Sequence, residues 1–345
     1  MRGDSSSARE IPVKKVLVAI VLSVLALSSA QAQKLTAAGA TFPYPIYSKW
    51  FSEYSAAHPG VEINYQSIGS GGGIRQVTAG TVDFGASDGP MTDAQLAESK
   101  VKIIHIPTVL GADVPAFNVS GISTLNFSGD VLADIFLGKI TMWNDARIAK
   151  DNPGVNLPNE KITVVHRSDG SGTTYIWTDF LSKVSSEWAN GPGKGTSVSW
   201  PVGVGGKGNE GVAGLVRQLP GALGYIELIY ALQNHISYGA VKNPAGNYLK
   251  ASIEGVTEAA ASIKNMPADY RVSITNAPGA NAYPISSFTW LLIPTRNADP
   301  AKQKVIVDLL SWIVNYGENE VTSLSYAPLP KNVAEKVLKT VYSLQ

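Results

Sequence analysis

The apolar run 162–165 leads directly into His166-Arg167-Ser168-Asp169-Gly170-Ser171-Gly172-Thr173-Thr174, and the amphipathic stretch Tyr175-Ile176-Trp177-Thr178-Asp179-Phe180-Leu181 follows. That order predicts a buried strand, a glycine- and hydroxyl-rich turn, and a helix start, the junction of an α/β fold. Unpaired backbone N–H groups and the positive end of the helix dipole point out of such a turn, which suits an anion. Ser171, Thr173 and Thr174 add hydroxyl donors, and Gly170 and Gly172 let the backbone approach closely. Arg167 offers a fork of N–H groups that matches a tetrahedral oxyanion, and Asp169 stands two residues away to hold it. The same residues also read as an ordinary capped helix with a surface Arg–Asp pair, and the stretch alone does not choose between the two.

Two further junctions repeat the arrangement. Leu35-Thr36-Ala37-Ala38-Gly39-Ala40-Thr41-Phe42-Pro43-Tyr44-Pro45 reads as a strand, an N-cap at Thr41 and a helix with proline in its first turn. After an alternating strand at 61–65, Ile68-Gly69-Ser70-Gly71-Gly72-Gly73 reads as a glycine turn ahead of a short helix, a second possible anion nest. It is not a P-loop, since no Gly-Lys-Ser/Thr closes it, and the glycine run 203–208 lacks the same Ser/Thr. A third strand, Val82-Asp83-Phe84-Gly85-Ala86-Ser87, delivers Asp88 just before the capping box Thr92-x-x-Gln95. Asp88 then lies at a strand's carboxyl end, where open α/β sheets place ligands. A carboxylate there suits an anion only if the anion carries protons; a plain turn aspartate is the other reading. Gly85-Ala86-Ser87-Asp88-Gly89 also matches a nucleophile elbow, so a secreted serine hydrolase using Ser87 is the rival class. His58, His105, His166 and His235 are its candidate bases, and none sits in a setting that marks it as catalytic.

Arg2, Arg9, Lys14 and Lys15, the apolar run 16–27 and Ala30-Gln31-Ala32 read as a secretory signal cut after Ala32, too short for a membrane span. The 345 residues include no cysteine, which excludes disulfides, a thiol nucleophile, a thiolate metal site and a lipid anchor at the cut. With 28 basic against 27 acidic residues there is no footprint for nucleic acid or a membrane surface. Roughly 300 residues after the cut is a size at which a chain divides into two lobes. The run 101–119 is suited to carry the chain between lobes, and the apolar strand 288–294 to bring it back. Helices are expected at 131–137, 143–150, 212–219, 226–233, 252–264, 305–316 and 333–344. The segment 191–211 reads as loops anchored by a buried Trp200-Pro201-Val202. No internal repeat, metal-ligand cluster or coiled-coil heptad is present.

Taken together, Ala38-Gly39-Ala40-Thr41-Phe42-Pro43, Ile68-Gly69-Ser70-x-Gly72-Gly73, Val82-Asp83-Phe84-Gly85-Ala86-Ser87-Asp88 and Arg167-x-Asp169-Gly170-Ser171-Gly172-Thr173 resemble the PstS family, periplasmic phosphate-binding proteins of phosphate ABC importers. The resemblance extends through Leu137-Gly138-Lys139-Ile140, Gly205-Gly206-Lys207-Gly208-Asn209, Leu219-Pro220-Gly221-Ala222-Leu223-Gly224-Tyr225 and Tyr326-Ala327-Pro328-Leu329-Pro330. It implies a two-lobed periplasmic binding protein fold of type II, with the ligand between the lobes and two strands as hinge. The first lobe would hold residues 33–108 and 285–345, and the second 109–284. By the same resemblance phosphate would be bound by Thr41, the Phe42 backbone, Ser70, Asp88, Arg167, Ser171, the Gly172 backbone and Thr173, with Asp169 supporting Arg167. Gly71 stands where a second serine is often found. The resemblance implies a monomeric, non-catalytic protein without a cofactor. Its partners would be inorganic phosphate, arsenate as a mimic, and the membrane components of an ABC transporter. A binding protein for another oxyanion is the alternative in the same class.

Overall fold

The computed structural model describes residues 33–344; the expected export signal lies outside the described residues. The chain opens with β1 (Gln33–Gly39), α1 (Tyr44–Ala57), β2 (Val61–Ser67), α2 (Ser70–Ala79) and β3 (Phe84–Ser87). The three strands are parallel, with β1 between the other two, so each connection needs a crossover helix. In α1 the buried residues are Ile46, Tyr47, Trp50, Phe51 and Tyr54, a stripe at helical spacing that lies on the sheet. The capping box expected at Thr92 is present, with both of its hydrogen bonds, ahead of α3 (Asp93–Glu98).

The architecture turns on β4 (Ile103–Asn118), a 16-residue strand. Along residues 103–112 it pairs antiparallel with the returning strand β8 (Ser286–Pro294). From Asp113 onward it pairs with β7 (Ala222–Glu227) instead. β7 in turn carries β5 (Thr163–Arg167), which pairs with β6 (Val204–Gly206). One continuous sheet results, ordered β2-β1-β3-β8-β4-β7-β5-β6, with the short strand Ser237–Tyr238 also on β4. The switch of partners at residues 112 and 113 is held by the return chain. Asp113 N–H donates to the Ile285 carbonyl at 2.9 Å, and Tyr283 hydroxyl donates to the Asp113 carbonyl at 2.9 Å. A register shift in the β4–β8 ladder between Thr289 and Trp290 leaves Thr108 unopposed, and bulges of this kind re-aim side chains beside sites.

Among the helices that follow are α4 (Gly129–Phe136), α5 (Gly172–Val184), α6 (Gly208–Gln218), α7 (Leu228–Gln233), α8 (Pro300–Asn315) and α9 (Lys331–Tyr342). Among the described residues none of the helices is long and apolar enough to cross a membrane.

Four expectations are corrected. The glycines 71–73 are inside α2, which begins at Ser70, rather than in a turn before it. The reason is tertiary: a Cβ on Gly73 would stand 2.6 Å from the Ala38 carbonyl oxygen, so the helix reaches its place on β1 only with glycine there. That packing outweighs the cost of glycine in a helix, about 1 kcal/mol each. Trp143 precedes its helix, which spans Ala146–Asp151. Ile226 and Glu227 end β7 rather than starting a helix. Part of the supposed loop 191–211 is ordered as β6 and the first turn of α6, and Trp200 is only partly buried, stacked on His166 with ring centres 4.8 Å apart.

Candidate functional site

Four helices present their N-terminal ends to one buried point where the two halves of the sheet meet. Thr41 lies on the turn before α1, Ser70 is the first residue of α2, Ser171 caps α5, and Asn209 is in the first turn of α6. These ends are joined by hydrogen bonds that span long stretches of chain. Gly172 N–H donates to Ser70 Oγ at 3.0 Å, and Asn209 Nδ2 donates to Thr41 Oγ1 at 2.8 Å and to Thr173 Oγ1 at 3.1 Å. Gly71 N–H donates to the Gly170 carbonyl at 2.9 Å. Thr41, Ser70, Asp88, Arg167, Ser171 and Thr173 are all buried. The structure therefore brings together the sequence-derived candidates Thr41, Phe42, Ser70, Asp88, Arg167, Asp169, Ser171, Gly172 and Thr173.

The hydroxyls of Thr41 and Thr173 are arranged so that each has a proton left to give, and that of Ser70 is held only by a long bond to Asp88 Oδ2 at 3.4 Å. A hydroxyl has two acceptor lone pairs and one donor hydrogen. Thr41 Oγ1 accepts from Asn209 Nδ2 and from Asn209 N–H at 3.3 Å. Thr173 Oγ1 accepts from Asn209 Nδ2 and from Arg167 Nη1 at 3.2 Å. Ser70 Oγ accepts from Gly172 N–H and from Asp88 N–H at 3.2 Å. With their lone pairs used, all three act towards a ligand as donors. Thr41 is not the expected N-cap of α1; Pro43 holds that position without a side-chain cap, which leaves the threonine hydroxyl to the site. Ser171 is a true cap, accepting from Thr174 N–H at 3.0 Å, and its own O–H is again left as a donor. Phe42 N–H meets no acceptor among the described residues, while its carbonyl accepts from Tyr326 hydroxyl at 2.6 Å.

Arg167 lies at the end of β5, and only 1% of its side chain is exposed. Its Nε and Nη2 donate to the two oxygens of Asp169 at 2.8 and 2.6 Å. Of five N–H groups on a guanidinium, the two to Asp169 and the one to Thr173 are used, which leaves one on each terminal nitrogen, a two-pronged fork. Burial works against the Arg167 charge, but Asp169 more than offsets it and holds the guanidinium above its ordinary pKa. Asp169 is held below the usual carboxylate range, since Arg167 and the Gly208 N–H outweigh its own partial burial.

Asp88 is the acceptor among these donors. Burial pushes its carboxyl up to about 7, against the opposing effects of Thr289, Arg167 and Ser70. Thr289 Oγ1 donates to Oδ1 at 2.7 Å, and Ser70 Oγ reaches Oδ2 only at 3.4 Å, so Oδ2 is the less occupied oxygen. Gly172 packs directly on this carboxylate; a Cβ there would lie 2.5 Å from Asp88 Oδ2. Two more carboxyls stand behind it. Asp113 and Glu227 are opposite each other on β4 and β7, both fully buried. Both oxygens of Asp113 and one of Glu227 lack hydrogen-bond partners among the described residues. Burial, reinforced by the other carboxyls, holds both well above the usual range. Raised folded-state values mean that the stability they contribute is complete below an ordinary carboxylate pKa of about 4 and is lost as pH rises through the folded values. The thermal midpoint should therefore fall as pH rises above about 4, and less steeply in Asp113→Asn. Parallel slopes in the two proteins would show that the fold does not raise the Asp113 pKa.

Two site residues were not named from sequence. Thr289 comes from the return strand and reaches Asp88 across 201 positions, and no local pattern marks it. Asn209 was visible only as the last residue of Gly205-Gly206-Lys207-Gly208-Asn209, directly after a glycine at a helix start. The hydroxyl of the rival nucleophile Ser87 is buried and donates back to the Gly89 carbonyl. Among the described residues no histidine bonds to it, and His105 Nε2 accepts from the Met91 N–H instead.

Comparison with known proteins gives a consistent set of relatives. The family model described as the PBP superfamily domain matches residues 26–315. The chain is 48% identical over 307 residues to the phosphate-binding protein PstS of Xylella fastidiosa (strain Temecula1), covering 88% of this chain and 84% of that one. It is 46% identical over 327 residues to the phosphate-binding protein PstS of Pasteurella multocida (strain Pm70), covering 94% of each. Among solved structures it is similar to a high-affinity periplasmic phosphate-binding protein bound with phosphate, at a TM-score of 0.72 and 20% identity, over 88% of this chain and 93% of that one.

Proposed function

The chain belongs to the PstS family of phosphate-binding proteins, and from that membership we propose that it binds inorganic phosphate in the periplasm and delivers it to the membrane components of an ABC phosphate importer. The observation that carries the reading is the imbalance of the site: several groups that can only donate surround one carboxylate that can accept. Bare phosphate oxygens take the donors. Thr41, Ser70, Ser171 and Thr173 give hydroxyl protons, Phe42 and Gly172 give N–H groups, and the Arg167 fork gives two more. Gly172 N–H shares itself between Ser70 and the ligand. Asp88 needs an O–H, and phosphate near neutral pH keeps at least one proton, its second ionisation lying near ~6–7. Arg167 is already offset by Asp169, so hydrogen bonds and four helix termini balance the anion. Arsenate, protonated in the same way, binds as a mimic.

The protein acts as a monomeric carrier rather than a catalyst; the inward-turned hydroxyl of Ser87 supports this reading over a serine hydrolase. Export with cleavage after Ala32 delivers it to the periplasm. The binding test is titration calorimetry of the purified mature chain. At alkaline pH, heat with phosphate and none with sulfate is expected, and no binding of phosphate would refute the reading.

The proposed lobes are residues 33–108 with 285–345, and 109–284. Thr41, Ser70 and Asp88 fall in the first and Arg167 to Thr173 in the second, so phosphate ties the lobes together. Binding should close the cleft by a hinge motion, and small-angle scattering should show a smaller radius of gyration with saturating phosphate. Superimposable curves would count against closure.

A further inference from the structure

We propose that Asn209 is a positioning residue that sets the direction of two phosphate-binding hydroxyls, and so makes them donors. The inference rests on the phosphate-binding reading of this site and adds to it a residue that makes no contact with the anion.

The argument starts from the amide. Asn209 is fully buried in the first turn of α6. Its Oδ1 accepts the backbone N–H of Glu227 at 2.9 Å, at the end of β7. A carboxamide whose oxygen is committed in this way must turn its NH₂ the opposite way. That NH₂ then donates one hydrogen to Thr41 Oγ1 and the other to Thr173 Oγ1. Thr41 and Thr173 come from segments 132 residues apart in the chain, yet one planar group spans both. Each hydroxyl receives a second donor as well, the Asn209 N–H on Thr41 and Arg167 Nη1 on Thr173. Neither oxygen has a lone pair left for a ligand. Rotation of either O–H toward Asn209 is blocked, because the amide offers hydrogens and no acceptor there. The proton of each threonine is thus forced outward before any anion arrives. Pre-set donors cost no reorientation when the ligand binds, which is where pre-organised sites gain affinity.

Side-chain exchange at 209 separates this role from packing. Asn209→Asp keeps shape and volume and keeps the bond from the Glu227 N–H, but presents an acceptor to both threonines. Their hydroxyls would then donate to the aspartate and turn away from phosphate. Asn209→Ala removes the orienting group without adding charge. Either change should weaken phosphate at least ~10-fold by calorimetry, about 1.4 kcal/mol, with Asp the worse of the two because it also brings a negative charge.

The deciding readout is a double-mutant cycle with Thr173→Val. If Asn209 acts through the threonine hydroxyl, Thr173→Val costs several-fold less in the Asn209→Ala or Asn209→Asp background than in wild type. If Asn209 only supports the fold, or the aspartate only repels the anion, Thr173→Val costs the same factor in every background. That second outcome, or unchanged affinity in both Asn209 variants, overturns the proposal. Should the alanine variant fail to fold, the isosteric aspartate variant carries the cycle. Arg167→Ala measured beside them keeps the two claims apart: if it too binds like wild type, the phosphate site itself is misassigned, whereas if it loses affinity and the cycle shows no coupling, only the role of Asn209 falls.

Discussion

Arg167→Ala should weaken phosphate binding by at least ~10-fold, at 1.4 kcal/mol per decade. Among the described residues that converge on the site, Arg167 is the cation, and its two remaining N–H groups form the fork proposed to meet the anion. Charge-assisted hydrogen bonds are worth about 1.5–3 kcal/mol each, so one lost bond reaches the stated floor and two exceed it. A second effect works in the same direction. Asp169 would keep the Gly208 N–H at 3.0 Å but lose both guanidinium bonds, leaving a partly buried negative charge beside the anion. Thr173 would lose one of the donors that fill its lone pairs. Binding should not vanish altogether, since the helix N-termini and hydroxyls remain. An unchanged dissociation constant would remove Arg167 from the site.

What was legible in the sequence was short-range. Arg167 and Asp169 are two residues apart, and one strand end and one turn set both, so their pairing followed from local order. Asp88 was placed by the strand before it and the capping box after it. The sheet's central strand was visible as a long apolar run because a strand buried on both faces has no alternation to hide it. The rest depended on partners far away in the chain. Glycines 71–73 read as a turn because their tolerance in a helix is tertiary: Gly73 lets α2 approach β1 and Gly71 meets the Gly170 backbone, which no local propensity records. The role of Asn209 exists only once Thr41, Thr173 and the Glu227 N–H have been brought to it by three different elements. Thr289 was hidden for the same reason, and the register shift beside it is a property of the β4–β8 ladder rather than of either strand. The family resemblance named the ligand-facing residues but not this supporting layer, whose members were absent from its short motifs or unassigned within them.

Asp88→Asn should keep much of the phosphate affinity while gaining measurable sulfate binding. In wild type, sulfate would place a proton-free oxygen against a buried carboxylate that can only accept, and sites built around one hydrogen-bonded proton reject analogues lacking it by about 10⁴–10⁵. The carboxylate thus discriminates chiefly by what it repels. Burial holding Asp88 at about 7 adds a pH dependence to this rejection. Below that value Asp88 carries its own proton and can donate it to sulfate; above it, sulfate binding must take up a proton. Wild-type sulfate affinity should therefore fall by about tenfold per pH unit on the alkaline side, by proton linkage. Asparagine replaces the carboxylate with a group that donates or accepts by turning over, so it serves either anion and has no proton to lose. Thr289 Oγ1 can still donate to its amide oxygen, the bond it now makes to Oδ1, which leaves the NH₂ facing the ligand. Competition of both anions against labelled phosphate across the pH range gives the comparison. Sulfate should compete in the mutant with a flat profile and in wild type only on the acid side. If sulfate competes equally well in wild type at alkaline pH, or fails to compete in Asp88→Asn at any pH, Asp88 does not read the ligand's proton.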